Sequence, residues 1–107
     1  MTVLLSGCLS NCENEVVSAV TSPSGKIKAV MFGRNCGATT GFNTQVSIVN
    51  AGDKVLAEGG NVMILDEEVP LRIRWVSDQE LSIAGWRKTR VFKQEASVNG
   101  VRIRYED

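Results

Sequence analysis

Alternation of apolar and polar residues is the clearest pattern in the chain. In residues 71–75 the odd positions are apolar and the even positions are arginines, and residues 101–105 repeat this arrangement. A period of two is that of a β-strand with one face toward a core and the other toward solvent. Both segments are therefore predicted to be half-buried strands.

Shorter runs rich in β-branched residues predict further strands. Residues 26–34 begin with alternation and become continuously apolar, as in a strand that passes from a sheet end into the interior. The predicted strands cover residues 15–20, 26–34, 45–49, 61–65, 71–76, 80–84, 89–94 and 101–105, and residues 55–58 are expected to be irregular. Asn99-Gly100 marks the last turn. The sequence predicts an all-β fold, a single antiparallel meander sheet curved into a roll, sandwich or open barrel.

Length and composition indicate one folded unit. With 107 residues, 43% of them apolar, the chain suits a single domain. We expect this β domain to cover residues 13–107 and residues 1–12 to form a flexible N-terminus, a candidate signal-peptide remnant.

Charge and histidine content narrow the function classes. Basic and acidic residues both number 12, so no net field draws the protein to nucleic acid, which is not expected as a partner. No histidine is present, which removes Ser-His-Asp and Cys-His pairs, and three cysteines are too few for a four-thiolate zinc site. An enzyme with Cys36 as nucleophile would lack a general base nearby in sequence. We expect a non-enzymatic protein without cofactor or metal.

Four arginines form a candidate anion-binding or ligand-binding face. Arg72, Arg74, Arg102 and Arg104 occupy the non-core positions of the two alternating strands. Arginine forks suit carboxylate and phosphate groups. In the alternative interpretation these arginines pair with Glu80, Glu95 and Glu106 on a solvated sheet face.

Residues 36–41, which contain two glycines and the pair Thr39-Thr40, are predicted to form a tight connection before a strand. Their backbone N–H groups and hydroxyls form a candidate anion cradle beside the arginines. The run lacks the lysine and the following helix of a phosphate-binding loop, which favours a structural turn.

The run Cys36-Gly37-Ala38-Thr39-Thr40-Gly41-Phe42 follows a hairpin turn at Ser22-Pro23-Ser24-Gly25. This combination resembles a family of small uncharacterised bacterial β proteins, many of them similar to lipoproteins. The resemblance covers residues 12–105 and implies a shape and a bacterial envelope location. It carries over no catalytic residue.

Leu5-Ser6-Gly7-Cys8 fits the small-residue-then-cysteine pattern of a lipoprotein cleavage site, which makes Cys8 a candidate lipidation site. Residues 1–4 supply neither a positive charge nor an apolar run of about seven residues. Either the native start lies upstream or the match arises by chance. The first alternative predicts a lipid-anchored protein of the envelope or periplasm, and the second predicts a cytoplasmic one.

Hairpin geometry makes Cys12 and Cys36 a candidate disulfide. A turn centred between Pro23 and Ser24 pairs residues whose numbers sum to about 47 or 48, so Cys12 faces Asn35 or Cys36. Directly opposed strand residues satisfy the Cα separation of about 4.4 to 6.8 Å that a disulfide requires. In an exported protein these residues would form a bridge and leave Cys8 for lipid, whereas in a cytosolic protein they would be buried thiols.

A sheet with several strands also has edges that must be covered. The sequence therefore favours a non-enzymatic interaction or structural domain, associated as a homodimer or with another protein partner. The alternative is a small-ligand or anion-binding module.

Overall fold

A computed structural model describes residues 13–36, 42–53 and 58–107, and these residues contain nine strands and no helix. The strands are β1 (Glu13–Thr21), β2 (Ile27–Asn35), β3 (Thr44–Asn50), β4 (Met63–Leu65), β5 (Arg72–Ser77), β6 (Glu80–Ala84), β7 (Val91–Gln94), β8 (Ser97–Val98) and β9 (Val101–Glu106). Two of the turns use residues with positive φ, Gly25 between β1 and β2 and Asn99-Gly100 between β8 and β9. The predicted Asn99-Gly100 turn is therefore confirmed.

The strands form two sheets. Sheet I has the order β1-β2-β3-β4-β7 and is antiparallel throughout, and sheet II has the order β5-β6-β9-β8. Within sheet II the neighbours β6 and β9 run parallel, whereas the other pairs are antiparallel. Sheet I thus ends at β1 on one side and at β7 on the other.

The hydrophobic core lies between the two sheets. Sheet I contributes alternate residues such as Met31, Val46 and Leu65, and sheet II contributes residues such as Leu81 and Ile103. All five have at most 7% of their surface exposed. Since these residues belong to one contact cluster, the sheets pack face to face, as in a sandwich or roll.

The chain crosses from sheet I to sheet II between β7 and β8. At this corner the Glu95 N–H donates to the Val62 carbonyl, and the Ile103 N–H donates to the Ala96 carbonyl, both at 2.9 Å. On the opposite side the Trp75 indole Nε1 of β5 donates to the Val20 carbonyl of β1 at 2.7 Å. The two sheets are therefore connected on both sides into an open roll.

The outer face of sheet I is partly covered by residues 58–60. The Asn14 side-chain amide donates to the Glu58 carbonyl at 2.9 Å, and the Gly60 N–H donates to Gln45 Oε1 at 2.7 Å. Gln45 lies directly opposite Phe32, which is buried on this face. The segment therefore crosses the sheet from β1 toward β3.

The predicted all-β class is confirmed, and each predicted strand overlaps an observed one. The arrangement differs from the predicted single antiparallel meander sheet, because the strands form two sheets. Strand β7 pairs with β4 in sheet I, and β9 pairs in parallel with β6 in sheet II. Gly85, which has a φ of 94°, follows β6 directly, and the segment that it begins carries the chain to sheet I instead of into a hairpin. Alternation fixes the face of each strand but not its neighbour, so sequence reasoning missed this crossing.

Candidate functional site

Strand β1 is a nine-residue strand at the edge of sheet I, and no described strand pairs with its outer side. Residues 15–19 are all exposed, including Val16 at 49% and Val17 at 61%. At Val20 the hydrogen bond from Trp75 covers the edge. We refer to residues 15–19 as the β1 edge.

A β-bulge interrupts the β1 edge at Val17. Val16 pairs with Phe32 and Ser18 pairs with Met31, so Val17 is the extra residue on β1. Bulges bend a strand and re-aim its side chains. Here the bulge accompanies two consecutive exposed valines at the edge.

A cleft of about 340 Å³ opens beside the β1 edge, between β1, β2 and residues 68–70. Apolar side chains line much of it, among them Val17, Met31 and Val69. A second part of about 230 Å³ adjoins it, and Glu15 and Glu68 line both parts. We call the larger part the acidic cleft, since its lining combines apolar surface with two carboxylates.

Hydrogen bonds fix the walls of the acidic cleft. Thr44 Oγ1 donates to the Glu67 carbonyl at 2.8 Å and accepts from the Val69 N–H at 2.7 Å, which ties residues 67–69 to β3. Asn43 Oδ1 accepts from the Arg34 N–H at 2.9 Å, and its Nδ2 donates to the Arg34 carbonyl at 2.7 Å. The cleft is therefore built on strands and on a tethered loop.

Two glutamates and one arginine line the acidic cleft and the smaller part that adjoins it. Neither Glu15 nor Glu68 takes part in an ion pair within the part of the chain that the structure describes. Arg34 lines the smaller part but not the acidic cleft, and its guanidinium donates to Asn14 Oδ1 at 3.1 Å. Among the described residues no cluster of three metal-ligating side chains occurs.

The structure places Arg72, Arg74, Arg102 and Arg104 on the outer face of sheet II. Their neighbours along the strands, Ile73 and Ile103, pack toward the core. Arg74 and Arg104 flank Ser82 in one row across β5, β6 and β9. Ser82, which lies between them in this row, is only 3% exposed. We call this surface the arginine face.

Carboxylates neutralise part of the arginine face. Arg104 Nε lies 2.9 Å from Glu80 Oε2 without the alignment of a hydrogen bond, and Glu106 Oε2 lies 4.0 Å from nitrogens of both Arg74 and Arg104. No ion pair with Glu95 occurs among the described residues, and the Glu95 carbonyl instead accepts the Tyr105 hydroxyl. Among the described residues, the predicted ion pairs with these arginines are thus formed by Glu80 and Glu106 but not by Glu95.

Cys36 follows β2 directly and is disulfide-bonded. The β1–β2 register runs to Glu13 opposite Asn35, so residue 12 would face residue 36 if the register continued. Cys8, Cys12, Thr39 and Thr40 all lie outside the described residues, as does the predicted flexible segment 1–12. The Cys12–Cys36 pairing, the lipidation site and the anion cradle remain predictions.

Sequence reasoning missed the acidic cleft, because its walls come from segments that are distant along the chain. The adjacent pair Val16-Val17 breaks the alternation of β1 and was the one local sign of a bulge. The sequence contains the acidic run Asp66-Glu67-Glu68, but the position of Glu68 beside Glu15 depends on the fold.

Comparison of the chain with protein-family models, with curated proteins and with solved structures finds no match. The resemblance to lipoprotein-like bacterial proteins therefore stays a prediction. None of the described residues belongs to a helix long and apolar enough to cross a membrane.

Proposed function

We propose that the protein is a non-enzymatic β-sheet interaction domain that binds a partner strand along the β1 edge. The observation that carries this proposal is the exposure of all five residues 15–19 on an edge strand, two of them valines. An exposed edge strand presents N–H and C=O groups that another strand can pair with. The bulge at Val17 restricts pairing to partners that follow the bend of β1.

The other described edges are less suited to strand addition. Strand β8 has only two residues, and β7 continues directly into the corner that leads to sheet II. Strand β5 contacts β1 through Trp75. The β1 edge is therefore the longest run of consecutive exposed residues on an edge strand in the part of the chain that the structure describes.

Oligomeric state tests whether the partner is a second copy of the chain. Size-exclusion chromatography with light scattering would be run over a wide concentration range on the wild type, on Val17→Lys and on Val76→Lys. Val76 on β5 is the matched control, since it is also an exposed strand valine, at 42%. A dimer that only Val17→Lys removes would identify self-association through the β1 edge.

The other outcomes are equally informative. A dimer that persists in Val17→Lys contradicts the β1 edge as its interface. A monomer at every concentration excludes the homodimer and leaves a strand from a different protein as the partner.

A location in the bacterial envelope is part of this proposal. Disulfides persist in oxidising compartments, so the disulfide at Cys36 supports export, and Cys8 would then be available for lipid. Expression with a functional lipoprotein signal upstream, followed by intact mass measurement, tests lipidation. An unmodified Cys8→Ser variant beside a lipid-modified wild type would support it, and an unmodified wild type would contradict it.

Anion binding is a second candidate function, favoured by the four arginines and two paired carboxylates of the arginine face. Thermal-shift titration with inorganic phosphate tests it on the wild type, on the double variant Arg72→Gln/Arg104→Gln and on the control Arg90→Gln. Arg90 lies outside this face, over the Phe92 ring. Phosphate stabilisation that only the double variant loses supports the site, and stabilisation unchanged in that variant excludes it.

A further inference from the structure

The acidic cleft lies beside the edge at which a partner strand would add. Glu15 and Val17 belong to the β1 edge and also line the cleft. A strand paired with β1 would place alternate side chains on the same face of the sheet, about 5 Å from Glu15 or Val17. These side chains are the ones that can enter the cleft.

The glutamates of the acidic cleft determine which kind of partner side chain can enter it. Directly opposed residues on neighbouring strands stabilise the pair when their charges are opposite and destabilise it when they are alike. Glu68 lines the same cleft from the loop, so a cation placed beside Glu15 shares the cleft with a second acidic residue. Arg34 lines only the smaller part, which Glu15 and Glu68 also line, and its guanidinium donates to Asn14 Oδ1.

The remaining lining favours an apolar neighbour for that cation. Val17, Met31, Val69 and Pro70 supply apolar surface to the cleft. A lysine or arginine places its methylene stem on such a surface while its charged end reaches the carboxylates. An extended segment that alternates basic and apolar residues matches both requirements.

We infer that the partner strand at the β1 edge is a basic and apolar segment that inserts a lysine or arginine side chain into the acidic cleft between Glu15 and Glu68. This inference rests on the strand addition proposed above. Strand β1, residues Glu13–Thr21, contains no lysine or arginine, so the same strand of a second copy cannot supply the cation. The partner is therefore a different segment.

The probe is a dye-labelled heptapeptide with blocked ends that alternates valine and lysine, measured by fluorescence anisotropy. A peptide with glutamate in place of lysine tests the charge, and a lysine peptide N-methylated at alternate residues tests backbone pairing, since it lacks the N–H groups that a strand edge needs. The protein variants are Glu15→Gln, Glu68→Gln and the control Asp53→Asn. Asp53 is exposed in the turn that follows β3, away from the acidic cleft.

We expect the lysine peptide to bind more tightly than the glutamate peptide. Each of Glu15→Gln and Glu68→Gln should weaken its binding roughly two- to five-fold, the range of an exposed ion pair, whereas Asp53→Asn should leave it unchanged. N-methylation should abolish binding. Circular dichroism confirms that each variant is folded.

Equal affinity for the lysine and glutamate peptides, or binding unaffected by both glutamate substitutions, would overturn the inference about the cation while retaining strand addition. Equal binding of the N-methylated peptide would contradict strand addition itself. If no peptide binds, the inference about a basic partner is wrong, and strand addition is then decided by the self-association experiment above.

Discussion

Gly60 shows how a single residue sets the path of the chain across sheet I. A Cβ at this position would lie 2.8 Å from both the Met63 and Val46 carbonyl oxygens. The same residue donates to Gln45 Oε1 and accepts from Lys93 Nζ. Only glycine lets residues 58–60 approach β3 this closely.

The Gly60→Ala substitution should therefore lower the free energy of unfolding, by roughly 1–3 kcal/mol, because the backbone on both sides must shift. Urea unfolding measures the change. Gly52→Ala is the control, since nothing lies within 4 Å of a Cβ added there. Equal unfolding midpoints for the two variants would contradict this account of Gly60.

The ionisation of Tyr105 can be measured without a contribution from another tyrosine, since it is the chain's single tyrosine. Burial, with a smaller effect of the Glu95 charge, raises the pKa of Tyr105 to about 12 from an ordinary value of 10.0. The hydroxyl donates to the Glu95 carbonyl at 2.6 Å. Because the pKa of Tyr105 is higher in the folded than in the unfolded protein, the protonated hydroxyl stabilises the folded state. This contribution to the free energy of unfolding is fully present below pH 10 and is lost as pH rises through about 12.

Ultraviolet absorbance of tyrosinate at about pH 10.5 tests this pKa. The folded protein should show only a few per cent ionisation, whereas protein unfolded in urea should show more than half, as the ordinary pKa requires. Ionisation of more than half in the folded state would show that Tyr105 is not protected by burial.

At the scale of elements, the bulge in β1 determines which residues meet at the open end of the hairpin. Near the turn Thr21 pairs with Lys28, and beyond the bulge Glu13 pairs with Asn35, a shift of one residue. Without the extra Val17, the register near the turn would bring residue 12 opposite residue 37. With the bulge, a register that continued past Glu13 would bring residue 12 opposite residue 36.

We therefore predict that the partner of Cys36 is Cys12. Proteolytic mapping without reductant, with free thiols alkylated, identifies the pair directly. Reduction should lower the free energy of unfolding by roughly 2–4 kcal/mol, because the unfolded chain is then no longer constrained by a closed loop the length of the hairpin. A Cys8–Cys36 linkage would show that the register does not continue past Glu13.

Sequence reasoning located the elements better than their arrangement. Alternation placed Ile73 and Trp75 toward the core and the four arginines on one face, because the period of a strand fixes its faces. It did not reveal the parallel pairing of β6 with β9, and the two-residue β8 is too short to leave a pattern. The acidic cleft was unpredictable for a related reason, since Glu15 and Glu68 meet only through the tertiary fold.

At the scale of the whole molecule, the arginine face and the acidic cleft belong to different sheets. The described ion pairs all join residues between positions 74 and 107, and neither Glu15 nor Glu68 takes part in one of them. Sheet II carries the arginine face, while the acidic cleft borders the exposed edge of sheet I. A basic partner strand at the β1 edge would therefore meet the acidic cleft and not the arginine face.

Hydrogen exchange of the backbone amides, with and without an excess of the valine–lysine peptide, tests the central claim most directly. The account predicts that the peptide slows exchange in residues 15–19, while exchange along β5 and β9 is unchanged, because pairing occupies the outer N–H groups of β1. Slowed exchange on the arginine face instead, or bound peptide with no protection of residues 15–19, would contradict strand addition at the β1 edge.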